Sequence, residues 1–288
     1  MRSKKYEYKF SVVFLGFTFL STSLMATDTY DPATNQLSIP SVKVGTATYN
    51  NVVITVGNIV SVGGASSTQS AEGLWTGTTS SGYELNSLIL ENNEFWNIVG
   101  TTINNVFYAV AFDRGAASVN ANSYSSFFKE YTATSSALGY SIGTVTTNTK
   151  ISGTVTTAYG ATTQNTTISM VPPSVSLYDY NKSADINDVI GSWNGSFLSG
   201  NSGIVQVLSN GEVTGVANGC SFSGSFSPRT SGKNAFDFTL VNGTGCVSPG
   251  FKTSGIAISY ITTSGKRQLI AAGTNDANTI GNLFFAQR

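Results

Sequence analysis

An all-β fold is what this 288-residue chain predicts, and three observations carry the prediction. Only 10% of residues are charged, while Thr, Ser, Asn and 30 Gly take the positions that Lys and Glu fill on most protein surfaces. Runs rich in Val, Ile, Thr, Tyr and Phe are broken by turn pairs such as Asn210-Gly211 and Ser264-Gly265. A short signature also occurs twice, as Gly73-Leu74-Trp75-Thr76-Gly77 and Gly191-Ser192-Trp193-Asn194-Gly195, and each copy opens a β-rich block. With 40% hydrophobic and 11% aromatic residues the chain has enough apolar material for a packed core.

The N-terminus carries Arg2, Lys4, Lys5 and Lys9, then the apolar run Phe10 to Leu20, then small residues ending at Ala26. That is the layout of a signal peptide over 1–26, and its apolar core is about half the ~20 residues that span a bilayer. Export to the periplasm, the cell surface or the medium is therefore expected, with no transmembrane span after cleavage. Removing 1–26 leaves 11 basic and 14 acidic residues and no basic cluster. Nucleic-acid binding is excluded on that ground, because it needs several phosphates neutralised by Lys and Arg.

Residues 27–70 read as a polar leader, a β-hairpin and a Gly/Ser-rich linker; Leu37, Ile39, Val42 and Val44 are separated from Tyr49, Val52, Val53 and Ile54 by Gly45-Thr46. Residues 71–173 form a first barrel-like domain, less regular in pattern, with a polar but aromatic-bearing stretch over 120–137. Residues 174–189 are a linker with a short helix, in which Ser183 is the expected N-cap and Gly191 the stop. Residues 190–288 contain eight short strand patterns with tight turns, which suit an antiparallel meander closed into a small barrel or a half-open sandwich. Two further fragments align between the blocks: Leu88 to Glu94 with Val205 to Glu212, and Ile151 to Val155 with Phe222 to Phe226. Cys220 and Cys246, the only cysteines, are read as a disulfide in an exported chain.

The absence of histidine removes Ser-His-Asp and Cys-His nucleophiles, His-liganded zinc and imidazole proton shuttles. What remains for catalysis is carboxylate pairs or Ser-Lys variants. Glu91 with Glu94 and Asp185 with Asp188 are the acidic pairs closest in sequence, and both fall in turns, as solvated surface groups would. A pair of carboxylates facing each other across a cavity would favour a hydrolase. The segment from Asp179 to Asp188 has a calcium-loop rhythm, but Ile190 stands where the last carboxylate ligand belongs and Ala184 where the central glycine belongs. No metal and no cofactor are therefore implied. Trp75 and Trp193 are expected to close the barrels as core residues. Trp96, Tyr124, Phe127, Phe128 and Tyr131 are the candidate binding surface, the competing reading being that they cover a barrel end. Asn165, Asn181, Asn194 and Asn242 begin Asn-x-Ser/Thr triplets, which are common by chance in so Asn- and Thr-rich a chain.

The turn from Ser183 to Ile190 leading into Gly191-Ser192-Trp193, at the head of an eight-stranded meander, resembles the opening of lipocalin-type barrels, in which the Trp closes one end. The run from Tyr30-Asp31-Pro32-Ala33-Thr34 through Val53-Ile54-Thr55-Val56-Gly57 to the two Trp signatures also resembles uncharacterised exported proteins of Gram-negative bacteria. Transferrin-binding lipoproteins carry small eight-stranded barrels too, but this chain has no lipidation cysteine near its signal junction, so the analogy concerns fold only. The expected function is non-enzymatic: binding a small apolar ligand inside a barrel, or an envelope or surface protein through loops. The alternatives are a structural or adhesive surface protein without a ligand, and a hydrolase using acidic residues.

Overall fold

The structure, a computed structural model, describes residues 29–31, 36–44, 47–55, 69–103 and 106–288, with side chains for 69–103 and 107–288. The expected signal peptide and most of the linker after the hairpin lie outside the described residues. The chain divides into two compact units between Gly63 and Gly64.

The first unit contains an antiparallel sheet of β1 (Thr29–Asp31), β2 (Gln36–Val44) and β3 (Ala47–Thr55). β2 and β3 are the expected hairpin, with Ile39 opposite Val52. β1 is an addition in what reads as a polar leader. It pairs Thr29 to Asp31 with Ser38 to Gln36, and three residues are too few to show a period in sequence.

The second unit is two closed barrels of eight antiparallel strands in up-and-down order, a lipocalin-like arrangement. Barrel 1 consists of β4 (Gly73–Thr79), β5 (Glu84–Ile89), β6 (Glu94–Ile103), β7 (Val106–Asn120), β8 (Ser123–Thr132), β9 (Ser136–Thr146), β10 (Lys150–Tyr159) and β11 (Thr162–Val171), with β11 closing on β4. Barrel 2 consists of β12 (Gly191–Phe197), β13 (Ser202–Val207), β14 (Glu212–Ala217), β15 (Cys220–Pro228), β16 (Phe236–Asn242), β17 (Lys252–Ile261), β18 (Arg267–Thr274) and β19 (Gly281–Gln287), with β19 closing on β12. Closure removes exposed sheet edges. The first block is thus as complete a meander as the second, and the stretch over 120–137 holds a turn and the regular strand β8. Its alternation is blurred in sequence because several of its strands bury side chains on both faces.

The two barrels share hydrogen bonds at matching places. The Trp75 indole donates to the Ala71 carbonyl and the Trp193 indole to the Val189 carbonyl, each at 2.7 Å. The β5–β6 turn bonds Leu90 N–H to Glu94 O, and the β13–β14 turn bonds Leu208 N–H to Glu212 O. Asn93 and Gly211 occupy the left-handed region at φ 65° and 83°, and their carbonyls accept from Ala117 and Phe226. The other proposed alignment does not hold: Ile151 to Val155 lies in the seventh strand of its barrel and Phe222 to Phe226 in the fourth strand of the other. A Ser-Gly pattern recurs by composition alone in such a sequence.

Three apolar clusters organise this unit. One fills barrel 1 around Trp75, Ile89, Phe95 and Ile151, and one fills barrel 2 around Trp193, Phe226, Phe236 and Leu269. The third is a seam joining outer faces of the barrels, where Leu88, Trp96 and Phe112 meet Ile256, Ile270 and Leu283. Tyr178 and Tyr180, from the connecting segment, pack into the same seam, and the Tyr178 hydroxyl donates to the Asn234 carbonyl.

The connecting segment makes only a 3-10 turn, Ile186–Asp188. Its cap is Asp185, not Ser183, because the Asp185 carboxylate accepts the Asn187 N–H at 3.0 Å. Cys220 and Cys246 form the expected disulfide, joining the start of β15 to the loop after β16. The loop it closes spans 26 residues, and the chain-entropy relation assigns such a loop about 3.5 kcal/mol. Cys220→Ser with Cys246→Ser should therefore lower barrel 2 stability by about that amount in chemical denaturation. Reductant should destabilise the wild type and leave the double variant unaffected.

Candidate functional site

The period-2 alternation of strands sends one set of side chains into each barrel, and in barrel 1 that set is unexpectedly polar. Ser87 on β5, Asn97 on β6, Asp113 on β7, Ser126 and Glu130 on β8, Ser141 on β9 and Thr157 on β10 are all buried. Ser87 donates to Asn97 Oδ1 at 2.5 Å, and the Asn97 amide donates to Asp113 Oδ2 at 2.8 Å. Asp113 and Glu130 are direct cross-strand partners. The Tyr159 hydroxyl, from β10, donates to Glu130 Oε1. Asp113 is 4% exposed, and its Oδ1 has no hydrogen-bond partner.

Burial, and next the Glu130 charge, push the Asp113 carboxyl well above the usual aspartate range, against the opposing Asn97 amide. Burial also raises Glu130, against the Tyr159 hydrogen bond. Tyr124, deeper in the barrel, is pushed up to about 12 by burial, with Asp113 adding to the shift. Among the described residues of barrel 1, the cations lie elsewhere: Arg114 and Lys129 point outward to Asn278 of barrel 2, and Lys150 is exposed.

Barrel 2 supplies an internal control. Matching the two equivalent turns places Gly215 opposite Phe222 where barrel 1 has Asn97 opposite Asp113. A Cβ on Gly215 would lie 2.2 Å from the Phe222 ring, so that ring occupies the space over the glycine. The fold therefore closes well on an apolar filling, and the carboxyl pair of barrel 1 is not a requirement of the architecture.

Because Asp113 is stabilised as the neutral acid on folding, its contribution is full below the ordinary aspartate range and is lost as pH rises through its folded value. Asp113→Asn should retain the acceptor for Asn97 and place a donor toward Glu130. The expected result in urea titrations is near-parity with wild type around pH 4 and a gain of about 1–3 kcal/mol at neutral pH, the cost of an unsatisfied buried acceptor. Parallel pH profiles for the two proteins would contradict the assignment.

The acidic pairs singled out in the sequence have other roles. Glu91 pairs with Arg229 at 2.8 Å, Glu94 with Arg114 at 3.2 Å and Asp188 with Arg267 at 3.0 Å. The Arg229–Glu91 pair ties barrel 2 to barrel 1, and Arg114, paired with Glu94 within barrel 1, also donates to Thr274 and Asn278 of barrel 2, around an open groove of about 440 Å³ lined among others by Trp96, Asp237, Thr274 and Asn278. Burial alone would raise Glu91, but its backbone bond, Arg229, Ser231 and Tyr180 hold it down at about 2. Stability from this carboxylate is present above its unfolded value of 4.5 and is lost as pH falls toward 2. Arg229→Ala should cost about 1–3 kcal/mol at neutral pH, and the deficit should shrink as denaturation is repeated toward pH 2. Of the charged residues lining this groove, Glu94 with Arg114 and Asp237 with Arg229 are held in ion pairs.

The proposed aromatic surface is corrected by the structure. Trp96 and Tyr131 are 3% and 2% exposed in the seam, Tyr124 and Phe128 are buried inside barrel 1, and of the five only Phe127 is open to solvent, at 50%. Strand alternation divides this cluster: neighbouring aromatics on β8 face the interior and the outside in turn. Trp75 and Trp193 lie at 1% and 0% exposure in the two barrel cores. Asp113 and Glu130 were missed because they are 17 positions apart in the chain and meet only through strand pairing.

Two closed, eight-stranded, up-and-down barrels in one unit make the fold lipocalin-like. No protein-family model matches the chain, and no curated protein matches it. Among solved structures the chain is similar to a protein of unknown function from the DUF3598 family of Nostoc punctiforme PCC 73102. The identity is 12%, over 75% of this chain and 93% of that chain, with a TM-score of 0.24. Among the described residues no helix is long and apolar enough to cross a membrane, and no three His, Cys, Asp or Glu side chains gather as a metal site.

Proposed function

We propose that this chain is an exported, non-enzymatic binding protein of the cell envelope or surface, in which barrel 1 carries the ligand and barrel 2 is its structural support. The observation behind this reading is the unpartnered oxygen of buried Asp113, the cross-strand partner of Glu130, in a barrel whose counterpart fills the equivalent space with a phenylalanine ring. A polar interior of this kind favours a small hydrogen-bonding ligand over the apolar one expected from fold alone. Entry is from the end of barrel 1 where Tyr159 covers Glu130, an end closed by the short connections after β4, β8 and β10. Binding is favoured over hydrolysis because Asp113 and Glu130 are direct cross-strand neighbours on one wall of the barrel, where a hydrolase pair would flank its substrate from opposite sides.

The test compares native and denatured masses of the protein purified from its own compartment, for the wild type and Asp113→Asn. A reproducible mass excess in the wild type that the variant loses supports the reading. Equal native and denatured masses in both would end it and move attention to a second reading, a contact with another macromolecule. That reading has its own support, because Phe127, Leu138 and Ile142 form an exposed apolar strip on the outer face of β8 and β9, at 50%, 68% and 51% exposure.

A further inference from the structure

We infer that the Asp113–Glu130 pair receives the protonated amine of a small organic cation; this rests on the binding reading above and names the chemical class of its ligand. Two carboxyl groups share the interior of barrel 1, and the groups that face Asp113 there are Glu130 and Tyr159 from β8 and β10, Tyr124 from β8 and Asn97 from β6. All of these are neutral or acidic. The described cations of the barrel lie on its outside, so the countercharge to a second carboxylate has to be a proton or to come from a ligand.

An alkylammonium group supplies three N–H donors on a compact charge. Asp113 Oδ1 is an acceptor without a donor, and Glu130 Oε1 accepts from the Tyr159 hydroxyl, a bond the ligand would have to replace. A divalent metal fits less well, because calcium takes six or more oxygen ligands and magnesium six in a strict octahedron, while this cluster offers two carboxyl groups. The exchange balances simply. The Asp113 carboxylic acid gives its proton to the buffer, the resulting carboxylate accepts the ammonium N–H groups, and Tyr159 exchanges Glu130 for the ligand or for water. Uptake of the cation is therefore accompanied by release of about one proton over the pH range in which free Asp113 is protonated.

The full-length protein is titrated calorimetrically at neutral pH with n-hexylamine hydrochloride and with 1-hexanol, each in phosphate and in Tris. The amine should bind, its heat should differ between the buffers by the amount expected for proton release, and hexanol should bind about tenfold or more weakly, the loss of a charge-assisted hydrogen bond. Asp113→Asn, which should be more stable than wild type and so remain folded, should weaken the amine by at least about tenfold. Tyr159→Phe, which frees Glu130, should leave amine affinity equal or improved. Equal affinity for hexanol and hexylamine, or undiminished amine binding in Asp113→Asn, overturns the amine inference and leaves the binding reading standing. Failure of both probes in a protein that carries a native mass excess does the same. Failure of both probes with no mass excess removes both.

Discussion

Phe112→Ala is expected to uncouple the two barrels. Phe112 is fully buried, yet it lies on the outer face of barrel 1, between the rings of Trp96 and Tyr131 at centroid distances of 6.3 and 4.9 Å. Its ring also faces Gly281 of barrel 2 so closely that a Cβ there would lie 2.5 Å from it. Truncation leaves a cavity in the seam that neither closed sheet can collapse into, because each is held by its own continuous ladder. The loss should be about 3–5 kcal/mol, and it should fall on the joint between the barrels. Urea unfolding followed by tryptophan fluorescence should change from one transition to two, since Trp96 reports the seam and Trp75 and Trp193 report the interiors. Phe127→Ala, at an exposed position, should change stability by no more than about 0.5 kcal/mol. A single unshifted transition in Phe112→Ala would show that the seam contributes little.

Trp193→Ala should be comparably severe through a different route. The ring is fully buried in barrel 2, its indole N–H satisfies the Val189 carbonyl, and the Arg288 guanidinium stands 4.0 Å from the ring centre. Removing it creates a cavity, orphans a carbonyl and leaves Arg288 without its aromatic partner. The first two effects apply equally to Trp75→Ala, because Trp75 makes the same bond to Ala71. The expected loss is about 3–5 kcal/mol for each, with Trp193 costing about 0.5–1 kcal/mol more on account of the cation–π contact. Arg288→Gln combined with either alanine variant tests this in a double-mutant cycle. Coupling should appear with Trp193 and be absent with Trp75. If Arg288→Gln couples equally to both, the contact is not the source of the difference.

Strands β12 to β16 were legible because their outer face lies mostly outside the apolar seam, so alternation shows directly in residues such as Trp193, Val205 and Phe226. Barrel 1 was harder to read for a physical reason. Leu88, Trp96, Ile98 and Phe112 are apolar although they point away from its axis, and Ser87, Asn97 and Asp113 are polar although they point into it. Both departures invert the usual meaning of hydrophobicity along a strand, and they coincide with the seam and with the buried carboxyl pair. The disulfide was readable from its isolation in the chain. The Asp113–Glu130 pair was not, because cross-strand register is set by turns and closure and is not written in local spacing. The cap of the 3-10 turn was misplaced by two residues, within the ordinary uncertainty of choosing among neighbouring Ser and Asp residues.

The seam joins two barrels of the same topology through different surfaces, β5 to β7 of the first against β17 to β19 of the second. Such a head-to-tail joint does not satisfy itself, and a chain of repeats could in principle extend by adding a third barrel, or a second molecule, to the corresponding face of barrel 2. The equivalent face of barrel 2 is built from different residues. Where barrel 1 has Leu88, Trp96 and Phe112, barrel 2 has Gln206, Thr214 and Ser221. Ile204 and Val216 remain on that face as direct cross-strand partners, each 52% exposed, but they form a small aliphatic pair without aromatic anchors. That face of barrel 2 therefore lacks the apolar anchors of a seam, and Thr214→Trp with Ser221→Phe is expected to supply them and to let one molecule add to the next as a filament would.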